Sequence, residues 1–206
     1  MIEDETRLLN AAKVMNQDAL VRIFDLYSTA LYRYSFRLCR DAMLADQIVG
    51  DVFARLLEKF SCGSGPISNL RSYLFEMAYH LIVDESRYSF RFAPLEELVP
   101  SQPDGFGDVQ SVENRIAGDI LLQAMKNDLT DIQRHVIILR FMEGLNLNET
   151  ARVVGKEVNN VKVIQNRAIK SLRKSLERAE AKKSLANRQN IAAYVNETAA
   201  VQISSA

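Results

Sequence analysis

A chain of 206 residues holds one or two domains. Its 26 Lys plus Arg are balanced by 26 Asp plus Glu, so no global attraction draws it to nucleic acid, and a nucleic-acid surface would need locally segregated charge. No apolar run approaches the ~20 residues of a membrane span, Met1 opens a polar, acidic stretch unlike a signal peptide, and Cys39 and Cys62 match no metal or redox spacing. A cytoplasmic protein with reduced cysteines and no membrane insertion is expected. Four prolines and a 3.6-residue periodicity along most of the chain predict an all-α fold.

Residues 3–15 carry a weak helical pattern. From Asp18 the pattern strengthens, with Leu20, Ile23, Phe24, Tyr27, Leu31, Tyr34 and Leu38 in one inward stripe. Asp41 is placed to cap a second strong helix, whose stripe is Leu44, Ile48, Val52, Phe53, Leu56 and Phe60. SCGSGPISN at 61–69 is a loop by composition. A third helix turns Leu70, Tyr73, Leu74, Met77, Leu81 and Ile82 inward, so that 18–90 reads as a compact bundle. Along this helix and just beyond it, Arg71, Tyr79, His80, Arg87, Tyr88, Phe90, Arg91 and Phe92 interleave basic and aromatic side chains. Such a surface can stack unpaired bases and hold phosphates. Tyr73 and Phe75 are assigned to the core; for Tyr79, His80 and Arg87 the two readings stay open.

Between 91 and 115 the composition changes. Pro94, Pro100 and Pro103 forbid a long helix, and Glu96, Glu97, Asp104, Asp108 and Glu113 outnumber Arg91 and Arg115. The stretch is predicted to be a flexible acidic linker. Four apolar positions (Ile120, Leu121, Met125, Leu129) make the next helix. Thr130 with Gln133 caps another, with Val136, Ile137, Leu139, Phe141 and Met142 apolar, and Gly144 ends it.

A helix-turn-helix comes next. Asn146 and Glu149 have capping-box spacing, and Leu147, Ala151 and Val154 recur at helical intervals. Gly155 supplies the sharp exit. The second helix of the pair turns Val161, Ala168, Leu172 and Leu176 inward and offers Asn159, Asn160, Lys162, Asn166, Arg167 and Lys170 outward. Eight basic residues (152, 156, 162, 167, 170, 173, 174, 178) stand against Glu157 and Glu177 in 152–178, which is the charge segregation that DNA binding needs. Val163 and Ile164 are placed to touch thymine methyls or to pack against the domain. The domains so read are 1–90, a linker at 91–115, 116–178, and a C-terminal extension at 179–206 that holds a candidate helix around 188–198.

No catalytic constellation and no cofactor site is apparent. His80 and His135 each sit inside a helix, and GSG at 63–65 lacks the lysine and strand of a phosphate loop. The protein is not expected to be an enzyme.

Several motifs, LYRYSFRLC at 31–39, ADQIVGDVFARLLEKF at 45–60, LRSYLFEMAYHLIVDESR at 70–87 and the long run at 129–173, stand in an order that resembles the extracytoplasmic-function (ECF) group of the sigma-70 family. These are promoter-recognition subunits of bacterial RNA polymerase. The resemblance covers about residues 18–178. It implies that Asp46, Gln47, Asp51 and Phe53, with Arg55 nearby, dock on the clamp helices of the polymerase's largest subunit. It further implies that the 61–69 loop with Arg71, Tyr79, His80, Asp84 and Arg87 opens the −10 element and holds its flipped base. The helix at 158–170 would read the −35 element, and the linker would thread toward the RNA exit path. Promoter DNA and core RNA polymerase are thus the implied partners, with an anti-sigma factor or other regulatory protein as a further one. The family usually has Asp at the position of Gln47, Gln at Gly50, an Arg–Asn pair at Tyr79 and His80, and often Arg–Leu at Ile164 and Gln165. Two other readings fit the same elements: a stand-alone helix-turn-helix regulator with an N-terminal sensor bundle, and a degenerate sigma homologue acting as a protein-binding adaptor.

Overall fold

A computed structural model describes residues 2–66, 68–89 and 121–178, with the side chains of 2–4 and 86–89 outside that set. The expected linker at 91–115, the extension at 179–206 and its candidate helix lie outside the described residues. All regular structure among the described residues is helical. Four helices come first: α1 (Ile2–Lys13), α2 (Gln17–Cys39), α3 (Ala42–Ser61) and α4 (Leu70–Ser89). Helix α5 covers 121–128, α6 is Asp131–Ile137, α7 is Leu147–Val153, and α8 covers 158–178. None of the described helices is long and apolar enough to cross a membrane.

The described residues divide into two units: 2–89 with 131–165, and 121–130 with 166–178. In the first, local chemistry sets the helix ends. Asn16 caps α2 by accepting from the Ala19 amide at 3.0 Å, and Arg40 closes it in the left-handed conformation. Asp41 caps α3 through the Leu44 amide, as its sequence position predicts. At the start of α4 the cap comes from a distance: Glu5 of α1 accepts from the Leu70 amide at 2.9 Å, placing a carboxylate where the helix dipole favours it.

The α1–α4 core is built from Leu9, Ile23, Leu31, Tyr34, Ile48, Val52, Leu56, Phe60, Leu70, Leu74 and Phe75, all but inaccessible to water. Fully burying each such aliphatic side chain contributes roughly 1.5–3 kcal/mol. Phe75 is buried as expected, whereas Tyr73 is only half-buried. Phe24 departs from the expected inward stripe: it is 47% exposed, at the rim of α2, with its ring 4.8 Å from that of Phe53.

Phe141 is exposed as well, at 58%. Its helix does not run as a regular α-helix to Gly144. Residues Ile138–Met142 form a π-helical turn, closed by the Glu143 amide on the Ile138 carbonyl. The wider turn admits an extra residue and rotates the chain beyond it, so a strict 3.6-residue count puts Phe141 on the wrong side. Gly144 then takes a positive φ of 70°. Helix α7 starts with the predicted capping box: Asn146 accepts from the Glu149 amide, and the Glu149 carboxylate accepts from the Asn146 amide. Gly155, with φ of 60°, makes the turn into α8.

In the second unit Ala124, Met125, Leu129, Ala168 and Leu172 are buried, and the Ser171 hydroxyl donates to the Asp128 carbonyl at 3.0 Å.

Asn146→Ala removes the N-cap acceptor and should cost about 1 kcal/mol, whereas Asn146→Asp should cost little. Thermal unfolding of the two variants beside the parent chain measures the difference.

Candidate nucleic-acid interface

Helix α3 presents one broad exposed face. Asp46, Gln47 and Arg55 are exposed and Asp51 and Phe53 half-buried, while Ile48, Val49, Val52 and Leu56 fill the opposite, buried face. All five candidate docking residues therefore lie outside the core. Phe53 adds something the sequence did not suggest. With Phe24, Val21 and Leu57, which are 47%, 51% and 39% exposed, it forms an apolar strip along α2 and α3 beside the charged positions.

Helix α4 splits its candidates between two faces. Arg71, Phe75 and Tyr79 recur every four residues and line one face. His80 and Asp84 are exposed on another side, and the Arg87 side chain lies outside the described residues. The preceding loop is held by its backbone. Gly63 and Gly65 both have positive φ, and a Cβ on Gly65 would come within 3.0 Å of the Phe60 ring.

The Arg71–Phe75–Tyr79 face is covered. Residues from α6 to α7 pack across it, and α7 lies against α4. Tyr34 and His135 are joined by a buried 2.7 Å hydrogen bond between Oη and Nδ1. Tyr79 stands edge-on to the His135 ring at 4.8 Å, and Tyr34 edge-on to Phe75 at 5.3 Å. Arg37 Nη1 donates to Glu143 Oε1 at 2.5 Å, Arg71 donates to the Glu143 carbonyl, and Arg152 Nε lies 3.6 Å from Glu76 Oε2. Burial pushes the Glu143 carboxyl up, opposed by Arg37, Arg33 and Arg71. Burial also drives the Tyr34 phenol well above its ordinary range, so it stays protonated.

Little in the sequence warns of this cluster. Tyr34 reads as core, His135 as one more helix residue, and Glu143 as a solvated charge beside a glycine. The one usable signal is a carboxylate in the last turn of an apolar helix, a place where the dipole disfavours it.

Helix α8 exposes its polar side chains within each unit. In the first, Asn159, Asn160, Lys162 and Val163 are exposed while Val161 is buried and Ile164 half-buried. The structure thus separates Val163, 48% exposed, from Ile164, which turns toward the domain. Arg140 bridges from the π-turn, with Nε donating to Gln165 Oε1 at 3.1 Å and Nη1 donating to the Leu145 carbonyl. Arg140 and Gln165 thus tie the first half of α8 to the π-turn, a link for which the sequence carries no local signal. In the second unit Asn166, Arg167 and Lys170 are exposed and Ala168 is buried. Among the described residues no group of three His, Cys, Asp or Glu could hold a metal ion.

Comparison with known proteins gives a consistent picture. Residues 127–174 match the family "Sigma-70, region 4". The chain is 28% identical over 172 residues to the ECF RNA polymerase sigma factor BldN of Streptomyces coelicolor, covering 82% of this chain and 64%, just under two thirds, of BldN. It is 27% identical over 165 residues to the ECF sigma factor SigX of Bacillus subtilis, covering 75% of this chain and 82% of SigX. In fold it resembles CnrH, solved in complex with the cytosolic domain of CnrY, at a TM-score of 0.62 and 21% identity over 84% of this chain and 97% of that one. It also resembles the sigma factor RpoE, solved with the anti-sigma factor NepR from Bartonella quintana, at a TM-score of 0.59 and 22% identity over 76% of this chain and 95% of that one.

Burial of His135 carries a pH consequence. Its pKa falls from 6.5 to about 4, chiefly by desolvation, with Asp131 raising it and Arg134 lowering it. The folded value lies below the unfolded one. As pH drops through the window from 6.5 to about 4, the unfolded chain therefore takes up a proton that the folded chain resists. The stability that His135 contributes is complete above that window and lost across it, by about 3 kcal/mol. Urea unfolding between pH 7 and pH 4 should show this loss, and His135→Gln should flatten it.

Proposed function

We propose that the chain is a sigma factor of the ECF group of the sigma-70 family, which it resembles in sequence, and that it binds core RNA polymerase and directs initiation at a small set of promoters. The observation that carries this is the match of 127–174 to sigma-70 region 4, laid over a capped helix-turn-helix whose second helix exposes amides and basic side chains. In this reading the polymerase supplies the chemistry, the chain is no enzyme, and it acts in the cytoplasm. The functional domains are 1–90 for polymerase and −10 binding, 91–115 as linker and 116–178 for −35 binding, with 179–206 as an extension.

Docking falls to α3. Asp46, Gln47, Asp51 and Arg55 offer charge and hydrogen bonds to the clamp helices, and Phe53 with the exposed Phe24 beside it offers apolar area. This mixture of a central aromatic and polar surroundings is what a protein interface uses. Reading of the −35 element falls to α8. Lys162, Arg167 and Lys170 hold phosphates, which fixes register without reading sequence. Asn159 and Asn160 stand at the helix start, where amides pair bidentately with adenine, and Val163 is placed for a thymine methyl. Asn166 extends the same outward set, while Ile164 serves packing. Opening of the −10 element falls to α4 and the 61–69 loop. Unstacking a base costs a few kcal/mol, and stacking on an aromatic returns roughly 1–3 kcal/mol per base. Tyr79 and the exposed His80 supply rings, Arg71 and Arg87 the phosphate grip, and Asp84 a polar rim. The likeness to the sigma factor RpoE, solved with the anti-sigma factor NepR, makes an anti-sigma factor a proposed partner here as well.

Asp51→Arg should weaken binding to core polymerase while leaving helicity unchanged. Pull-down affinity unaffected by this reversal would count against the docking assignment and favour a stand-alone regulator. Arg167→Ala should weaken duplex binding about equally across sequences, whereas Asn160→Ala should change the preferred base. Binding profiles over a randomised −35 element separate the two, and identical profiles would mean that Asn160 reads nothing.

A further inference from the structure

Arg71 has a proposed role on the promoter strand, yet in this structure its guanidinium is spent on the main-chain carbonyl of Glu143. Arg37, in the last turn of α2 on a helix that no promoter contact has been assigned to, holds the Glu143 carboxylate at 2.5 Å. Arg33, one turn earlier on α2, acts electrostatically on the same carboxylate and is itself exposed. Three arginines from two helices thus converge on one acidic residue, whose side chain is 2% exposed. A guanidinium fork that fits a carboxylate fits a phosphate equally well, and both give charge-assisted bonds. Glu143 reaches the cluster from a distant part of the sequence, on the segment that also seats His135 against Tyr34 and Tyr79.

We propose that Arg33, Arg37 and Arg71 form a phosphate-binding cluster for the unpaired promoter strand, and that Glu143 plugs it while residues 131–153 cover the Arg71–Phe75–Tyr79 face. The proposal rests on the −10 reading of α4 and extends the site onto α2. In the plugged state the strand meets neither the arginines nor the Tyr79 ring. Opening withdraws Glu143 and His135 together, since both lie on the same short stretch around the π-turn. A backbone phosphate then replaces the carboxylate on Arg37 and the neutral carbonyl on Arg71, a stronger acceptor in the second case.

The full-length chain and a short fluorescent oligothymidylate provide the test. Glu143→Gln keeps the shape and the main-chain carbonyl but removes the charge. It should raise affinity for the oligonucleotide about tenfold, the worth of one charge-assisted bond. Adding Arg37→Ala or Arg33→Ala to this variant should cancel the gain and lower the salt slope by about 0.7 for each arginine removed. Unchanged affinity in Glu143→Gln, or a gain that survives loss of Arg37, overturns the proposal. A second measurement does not depend on that variant's stability. Glu76→Cys with Arg152→Cys, in a Cys39→Ala, Cys62→Ala background, places two thiols where the ion pair stands. A short bismaleimide should join them readily in the free chain and depress oligonucleotide binding about tenfold. No linkage, or linkage without loss of binding, also overturns the plug. Promoter melting with core polymerase reads the parent assignment separately. A chain whose oligonucleotide binding depends on the arginines, but which melts no promoter, keeps the cluster and loses the −10 role.

Discussion

Two polar side chains have left water at one place, and the arrangement of 2–89 with 131–165 turns on how they are satisfied. His135 and Glu143 are 3% and 5% exposed. Each would be costly to bury alone, since an unpaired polar group in a low-dielectric interior loses its hydration with nothing in return. His135 is paired with Tyr34, and Glu143 with Arg37 and, through its carbonyl, Arg71. The partners lie on α2 and α4, far away in sequence. The contact is therefore conditional: these groups are content in this geometry or fully in water, and poorly placed in between. Such an interface favours two discrete states over a graded loosening.

That bistability bears on the function proposed above. The side chains that suit an unpaired strand, arginines and an aromatic edge, are also those that suit a carboxylate and an imidazole. One surface can serve both occupants, and in the covered state the Arg71–Phe75–Tyr79 face is closed to any strand.

Much of the fold was legible because its signals are local. Caps at Asp41 and Asn146, the glycine turns at 144 and 155, and the stripes of α3 and α8 each depend on residues a few positions apart. The exposed polar set on α8 came from the same periodicity. What sequence could not supply was the long-range pairing. Nothing near His135 announces Tyr34, and nothing near Glu143 announces Arg37. Phe24 was misplaced, and the exposure of Phe141 was not foreseen, for distinct reasons. Phe24 sits at the edge of a stripe, where a ring on the neighbouring helix decides its exposure. Phe141 lies within the π-turn, where the period itself changes. The apolar strip of Val21, Phe24, Phe53 and Leu57 needed two helices side by side before it could be seen.

The π-turn at Ile138–Met142 also gives the chain slack in length. A wide turn of this kind holds one residue more than an α-helical turn would, so loss of a single residue there can be absorbed by closing the turn one residue earlier. The chain beyond it would keep its direction. The same deletion inside a regular helix such as α3 has no such outlet, and every later side chain on that helix would swing by about 100° about the axis. The segment between Ile137 and Gly144 is thus a take-up link, where residue number can change while Glu143 and Gly144 hold their places.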